Sequence, residues 1–520
     1  MQKSGKAIIY LGIFVLGITL FGVIPRLFLD VYMSPDETAV AVSAKFLAQH
    51  GTMKIADPLL ARFPWLHPRS FVSQGGYMVP VGFLGLPILM ALVYLFFGQF
   101  ATLWFTPLLA LSVVIPLWNL TKKMGSAAQI LASLTWLTFP TVILYANRGL
   151  FPNLIVVALC IWAMYLFWIV WGEKNRAKDP AQYLYLGVAG LASGTALAIR
   201  PVEAFWIAVW FAAILAIRWD VIRTDRAKYK KAALFVLAGS MVPLIAAWFS
   251  YKTYGSFLAI GYNLRDTVLA PQASSVGQVS QNLLPFGLHP RALWANFRDY
   301  LFGMYWPWLL AAGLAIYFTW KGRTAKILAA AGFLTTIVLA IVYGQALYQD
   351  HVGVNVVSIG NSFLRYFLPL TPFFVLSVAA TVQAIQKRFG QPKGLALFII
   401  PFLALSVYGT YLGLYQDGEG AAISDQELLR YAEIRQQAQA QAGEDAVVLS
   451  DRSDKIFFPQ FDAVSPMPED DRMKELAAQN KVLMFMTTQD EAGMVDWQAR
   501  GFNLMPLFSS SNQTLYELSL

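Results

Sequence analysis

The chain has 520 residues, 57% of them apolar and only 13% charged, with a mean hydropathy of +0.53 and a formal net charge of +9. No soluble domain of this length carries so much apolar surface, and the single Cys160 excludes a disulfide framework. From residue 416 onward 18 acidic residues face 8 basic ones, a net of −10, whereas the rest holds 31 basic and 12 acidic, a net of +19. The expectation is a basic polytopic membrane part, 1–415, followed by an acidic soluble domain, 416–520.

The first apolar run, 7–29, follows Lys3 and Lys6 and lacks a small-residue cleavage site, which favours a retained anchor over a cleaved signal peptide. Directly behind it comes "VYMSPDETAVAVSAKFLAQHG" (31–51). Ser34 fits an N-cap, Pro35 the first helical position, and Glu37 the third, where it can close a capping box. That reading accounts for Glu37. Asp36, at the second position, has no capping duty and is the candidate for chemistry.

Further along the same loop, "RFPWLHPRSFVSQGGYMVP" (62–80) holds His67-Pro68-Arg69, with Arg62 nearby. A carboxylate beside basic groups at a membrane surface suits deprotonation of an acceptor hydroxyl next to a neutralised lipid phosphate. The loop offers a divalent metal few ligands beyond Asp36, Glu37, Asp57 and His67, and their spacing is not diagnostic. No cofactor is required, and the metal stays open.

Apolar runs then recur at about 78–98, 101–120, 127–146, 150–171, 182–200, 203–217, 232–250, 298–320, 326–344, 364–384 and 394–414. Basic clusters mark the cytosolic side: Lys122/Lys123, Lys174/Arg176/Lys178, 218–231, Lys321/Arg323/Lys326 and Lys387/Arg388/Lys393. They explain the positive charge without a nucleic-acid partner. Loops 30–77, 251–297 and 345–363 and the acidic domain then fall outside, with the N-terminus in the cytoplasm of a cell inner or plasma membrane. An inside N-terminus and an outside tail need an odd number of spans. The run 78–98, with Pro80, Pro87 and three glycines, is the one to read as a non-crossing juxtamembrane helix, leaving about eleven spans.

Three short outer turns carry polar groups. "YANRGLFPNL" (145–154) has Asn147, Arg148 and Asn153; "LAIRPVEAF" (197–205) has Arg200 and Glu203; "GNSFLRYFLPLTPF" (360–373) has Arg365 and Tyr366. A single arginine at a span end ordinarily snorkels to headgroups. Several on one face point to an anionic substrate. The soluble domain reads as α/β: a helix over 424–443 with Ser424 and Glu427 in capping-box spacing, strands at 446–450, 481–488 and 514–520, and helix-prone "EDDRMKELAAQN" between the first two strands.

Asp-Glu in a long first outer loop, His-Pro leading into a Gly/Pro-rich apolar stretch ending in Phe-Gly, and "RYFLPLTP" (365–372) together resemble the GT-C glycosyltransferases. The nearest kin are the protein O-mannosyltransferases and bacterial lipid A aminoarabinose transferases. The resemblance covers about 1–415 and implies transfer of a sugar from a polyprenyl-phosphate donor to a glycan, lipid or protein acceptor on the extracytoplasmic face. It implies Asp36 as base or acceptor-orienting group, with Glu37, His67, Asn147 and Asn153 in support. It implies Arg69, Arg148, Arg200, Arg365 and Tyr366 around the donor phosphate. Two departures stand out: Arg69 replaces a second proline after His-Pro, and Phe151-Pro152-Asn153 replaces a Leu-Asp-Pro turn. The rival reading, a transporter or lipid-linked-sugar flippase, needs charged groups in mid-span and symmetric halves, and a scaffold would not need the elaborate first loop. The sequence shows neither mid-span acids nor symmetry.

Overall fold

The computed structural model describes residues 3–171, 180–262, 264, 287–348, 357–416, 418–443 and 445–520. The basic cluster Lys174/Arg176/Lys178 lies outside the described residues, as do much of the loop 251–297 and residues 349–356.

Among the described residues, eight helices are long and apolar enough to cross a membrane. The number is ten if each of two bent pairs counts as one span, and Ala7–Phe21 is a shorter apolar helix. In order, these fall on the twelve apolar runs, the single candidate Gly85–Leu120 taking in both 78–98 and 101–120, so the chain is a multi-pass membrane protein. The bends have local causes. The pair Ser126–Leu137 and Pro140–Asn147 turns by 52° where Pro140 begins the second helix. A proline has no N–H to give the preceding turn but suits the first helical position. The pair Pro290–Met304 and Trp306–Thr319 turns by 81° after a π-helical stretch, Phe297–Met304.

The chain divides into two compact units: Met1–Arg26 with Leu103–Ala246 and Gln272–Ile423, and Leu27–Thr102 with Ala247–Pro271 and Ser424–Leu520. The first is a helical assembly. Within it Ala181–Ile199 and Lys228–Tyr254 meet through glycines. A Cβ on Gly190 would lie 2.4 Å from the Phe235 carbonyl oxygen, and one on Gly194 would lie 2.0 Å from that of Gly239. This is the small-xxx-small contact that brings two helix backbones together in a membrane.

The second unit holds two sheets. In the first loop, β1 (Ile55–Ala56), β2 (Phe71–Gln74) and β3 (Tyr77–Pro80) pair antiparallel in the order β1-β3-β2. Gly75 and Gly76, at φ 59° and 80°, form the two-residue turn of the β2–β3 hairpin. The run expected as one helix over 78–98 is therefore corrected. Its first residues finish β3, Pro80 ends the strand, and the helix begins at Gly85. The helical backbone breaks at Gly98, where φ is 78° and ψ 179°.

The C-terminal sheet, β4 (Val447–Ser450), β5 (Asp462–Val464), β6 (Val482–Thr487), β7 (Asn503–Ser510) and β8 (Gln513–Ser519), runs in the order β5-β4-β6-β8-β7. β4 lies parallel to β5 and β6, while β8 is antiparallel to β6 and β7. The three expected strands are present, with helix Asp470–Ala477 between the first two, and the sequence reading missed β5, β7 and helix Glu491–Ala499. Helix Ala421–Ala442 starts earlier than expected, so Ser424 is buried inside its first turn rather than capping it. The chain is already committed at Gly420, where a Cβ would meet the Leu414 carbonyl oxygen at 2.5 Å.

One hydrophobic core runs through this unit. Leu60, Phe63, Leu66, Phe71 and Met78 of the first loop pack with Val448, Phe457, Leu483, Phe485 and Leu515 of the C-terminal sheet. Loop and sheet are one folded body.

Candidate active site

The helix Pro35–His50 begins as its sequence dictates. Ser34 is extended (φ −138°, ψ 151°), its Oγ accepts from the Glu37 N–H at 3.3 Å, and Pro35 sits in the first turn. Gly51, left-handed at φ 70°, closes the helix with its N–H on the Leu47 carbonyl. Glu37 is buried and Asp36 is exposed. Asp36 Oδ1 accepts the Ser70 hydroxyl at 2.5 Å. Ser70 is a non-glycine residue in the left-handed region, at φ 64°.

His67 and Arg69 divide in role. His67 is partly buried with Nδ1 at 3.2 Å from the Pro68 carbonyl oxygen. Arg69 is bound by Asp454: its backbone N–H donates to Oδ2 at 2.8 Å and its Nε to Oδ1 at 2.8 Å, and its Nη2 also reaches the Arg452 carbonyl oxygen. Asp454 is wholly buried. This pairing fastens the first loop to the C-terminal domain at Arg69. Asp57 caps Pro58–Arg62 through Oδ1, which accepts from the Leu59 N–H at 2.8 Å. Burial, and the Asp57 carboxylate beside it, push the Asp462 carboxyl up to about 6. Among the described residues no three His, Cys, Asp or Glu side chains form a group able to hold a metal.

In the helical unit, three predicted cations come together on aromatic rings. Arg148 and Phe151 occupy the turn between Pro140–Asn147 and Pro152–Val170; Arg365 and Tyr366 end the short helix Ser362–Tyr366, capped by Asn361. The Phe151 ring has the Arg148 guanidinium at 4.6 Å and the Arg365 guanidinium at 4.7 Å from its centre. Arg365 Nη2 also donates to Ser362 Oγ at 3.0 Å and the Tyr366 hydroxyl at 3.2 Å. Tyr366 stacks on Tyr343 at 4.2 Å and 7°. Arg200 lies 5.1 Å from the Tyr366 ring centre, donates Nε to Glu203 at 2.6 Å, and donates Nη2 to the Tyr343 hydroxyl at 2.9 Å. Buried Glu203 also accepts the Tyr343 hydroxyl at 3.1 Å and the Trp206 indole N–H.

This cluster holds three guanidiniums and one carboxylate within an aromatic frame, a disposition suited to an anion carried on an apolar tail. Sequence reasoning found Arg148, Arg200, Arg365 and Tyr366 but not Tyr343. The only signal for Tyr343 was a tyrosine in the last two residues of the apolar run 326–344. The two asparagines make other contacts. Asn147 is buried and spent on backbone: its Nδ2 donates to the Leu20 and Ile143 carbonyls at 2.7 and 2.9 Å, and its Oδ1 accepts from the Ile24 N–H. Asn153 is buried in the first turn of Pro152–Val170, and its Oδ1 has no hydrogen-bond partner among the described residues.

The fold is GT-C-like, a polytopic helical membrane part with a small C-terminal domain. Among solved structures, the chain is similar to ArnT from Cupriavidus metallidurans in the apo state, at 12% identity and a TM-score of 0.54 over 99% of this chain and 98% of that one. It is similar to the same protein bound to undecaprenyl phosphate at a TM-score of 0.56, with the same identity and coverage. No family model and no curated protein sequence matches the chain.

Proposed function

We propose that this protein is an integral membrane glycosyltransferase that moves a sugar from a polyprenyl-phosphate donor to an acceptor hydroxyl or amine on the extracytoplasmic face. The observation that carries the reading is the gathering of Arg148, Arg200 and Arg365 around Phe151, Tyr343 and Tyr366. The GT-C fold supports it, as does the undecaprenyl phosphate in the ArnT structure. Arginine suits a phosphate because its planar fork donates two parallel hydrogen bonds.

A sugar on phosphate already carries a good leaving group. In the proposed step Asp36 takes or orients the acceptor proton, and the acceptor heteroatom bonds to the anomeric carbon. The bond from that carbon to the phosphate oxygen breaks, and its electron pair leaves with the polyprenyl phosphate. The arginines stabilise the charge that gathers there. Direct displacement of this kind inverts the anomeric centre. Glu37, buried in the first helical turn, serves the fold.

The test is incubation of purified protein with radiolabelled undecaprenyl-phosphate mannose and undecaprenyl-phosphate aminoarabinose, following label that leaves the lipid. Asp36→Asn is expected to lower turnover at least 100-fold, in line with loss of a general base, and Glu37→Gln to retain it. A fully active Asp36→Asn protein overturns the assignment of Asp36. Translocation of either lipid across sealed vesicles, without transfer, favours the flippase reading.

A further inference from the structure

The segment that carries Asp36 is held from one side by residues some four hundred positions later in the chain. Arg435 Nη1 donates to the Asp30 carbonyl at 3.0 Å, and Lys455 Nζ donates to the Met33 carbonyl at 2.7 Å. Asp454, next to Lys455, grips Arg69 through both its backbone N–H and its guanidinium. The adjacent Ser70 accepts the Val81 N–H on its carbonyl at 2.9 Å and donates its hydroxyl to Asp36 at 2.5 Å. Ser70 is thus fixed on both sides of a left-handed backbone that serine seldom adopts. A strained conformation persists only where its surroundings over-determine it, and here the surroundings are Asp454 and β3.

From this geometry we infer that Asp454 is a positioning residue for the Asp36 carboxylate, acting through Arg69 and the left-handed Ser70. The C-terminal domain is then part of the catalytic apparatus, although none of its side chains need touch the sugar. The inference rests on the role proposed for Asp36. The Ser70 hydroxyl occupies Oδ1 and fixes the rotamer of the carboxylate, which presents Oδ2 to an acceptor. A base misplaced by a fraction of an ångström to one ångström loses rate without losing substrate affinity.

The experiment compares Asp36→Asn, Ser70→Ala, Asp454→Asn and the Ser70→Ala/Asp454→Asn double variant of the full-length protein in lipid nanodiscs. Each is assayed with whichever of the two labelled undecaprenyl-phosphate sugars the parent consumes. Ser70→Ala and Asp454→Asn are each expected to lower kcat about 10-fold with KM for the lipid donor unchanged within 2-fold. The double variant is expected to lose less than 3-fold beyond the worse single one, because both act on one path. Losses that multiply, losses confined to KM, or unchanged kcat in Ser70→Ala each overturn the inference. Ser70→Ala removes only an oxygen, so it remains informative if Asp454→Asn does not accumulate; Arg69→Lys then replaces the latter, with the same kcat loss expected because a lysine cannot make the paired contact. An active Asp36→Asn protein, by contrast, sinks the role of Asp36 itself, which separates the two failures.

Discussion

Gly194 and Gly187 lie two turns apart on the same helix, Ala181–Ile199, and respond in opposite ways to one added methyl group. At Gly187 a Cβ meets nothing within 4 Å. Alanine there gains the helix preference over glycine, up to about 1 kcal/mol. At Gly194 the Cβ would stand 2.0 Å from the Gly239 carbonyl oxygen and 3.0 Å from its Cα, all of it backbone that no side-chain rotation can clear. Ordinary carbon–oxygen contact begins at about 3.3 Å, so the two helices must part by roughly 1.3 Å. Overpacking of that order costs about 1–3 kcal/mol, offset in part by the same helix preference. The two variants are therefore expected to differ by about 1–3 kcal/mol, with Gly187→Ala above the parent and Gly194→Ala below it. Thermal unfolding of each purified variant in one detergent, at one heating rate, reads the difference as an ordering of midpoints. A Gly194→Ala protein as stable as Gly187→Ala refutes the contact, and with it the role of Gly190, Gly194 and Gly239 as the seam between these helices.

The raised carboxyl of Asp462 binds a proton in the folded state between about pH 3.8 and 6 that the unfolded chain does not hold. Its stabilising contribution is present below that window and lost as pH rises through 6. Asp462→Asn should flatten this dependence and add about 1–2 kcal/mol at pH 7.5, after discounting for partial exposure, as read by hydrogen exchange of β4 and β5 in the intact protein; an unchanged pH dependence counts against the Asp57–Asp462 pairing. Ser34→Ala should cost about 1 kcal/mol through loss of the cap on the Glu37 N–H, seen as faster amide exchange over 35–40. Glu203→Gln removes the carboxylate that neutralises Arg200. It should tighten undecaprenyl phosphate binding by several-fold in native mass spectrometry while lowering thermal stability, since a buried ion pair has lost one member. Arg365→Ala should weaken the same binding by about 10-fold or more, the worth of a charge-assisted hydrogen bond.

What could be read from the sequence was local. Apolar runs set the helices because a hydrocarbon slab imposes length and composition, and Ser34-Pro35 set a helix start because capping is decided within four residues. The arginines at 148, 200 and 365 were visible as charges at span ends, but their common partners were not. Phe151, Tyr343 and Tyr366 meet only after helices far apart in the chain have packed. Arg69 was visible as a charge in the first loop, but its partner was not. Its carboxylate lies 385 residues away, beyond any spacing rule. The β2–β3 hairpin was legible in "QGGY", where two glycines accept positive φ, and was hidden by the apolar weight of the residues that follow. The short β5 has no periodicity to show, because its three residues are specified by their neighbour β4.

The ties from Asp30, Met33 and Arg69 to Arg435, Lys455 and Asp454 span 405, 422 and 385 residues. During synthesis the segment around Asp36 leaves the ribosome long before its anchors exist, and contacts this distant in sequence are slow to form. The loop must wait until the residues after 424 arrive to seat it. A truncated or stalled product would reach the membrane with its carboxylate unheld, so competence is withheld from the nascent chain until the fold has closed on itself from its far end.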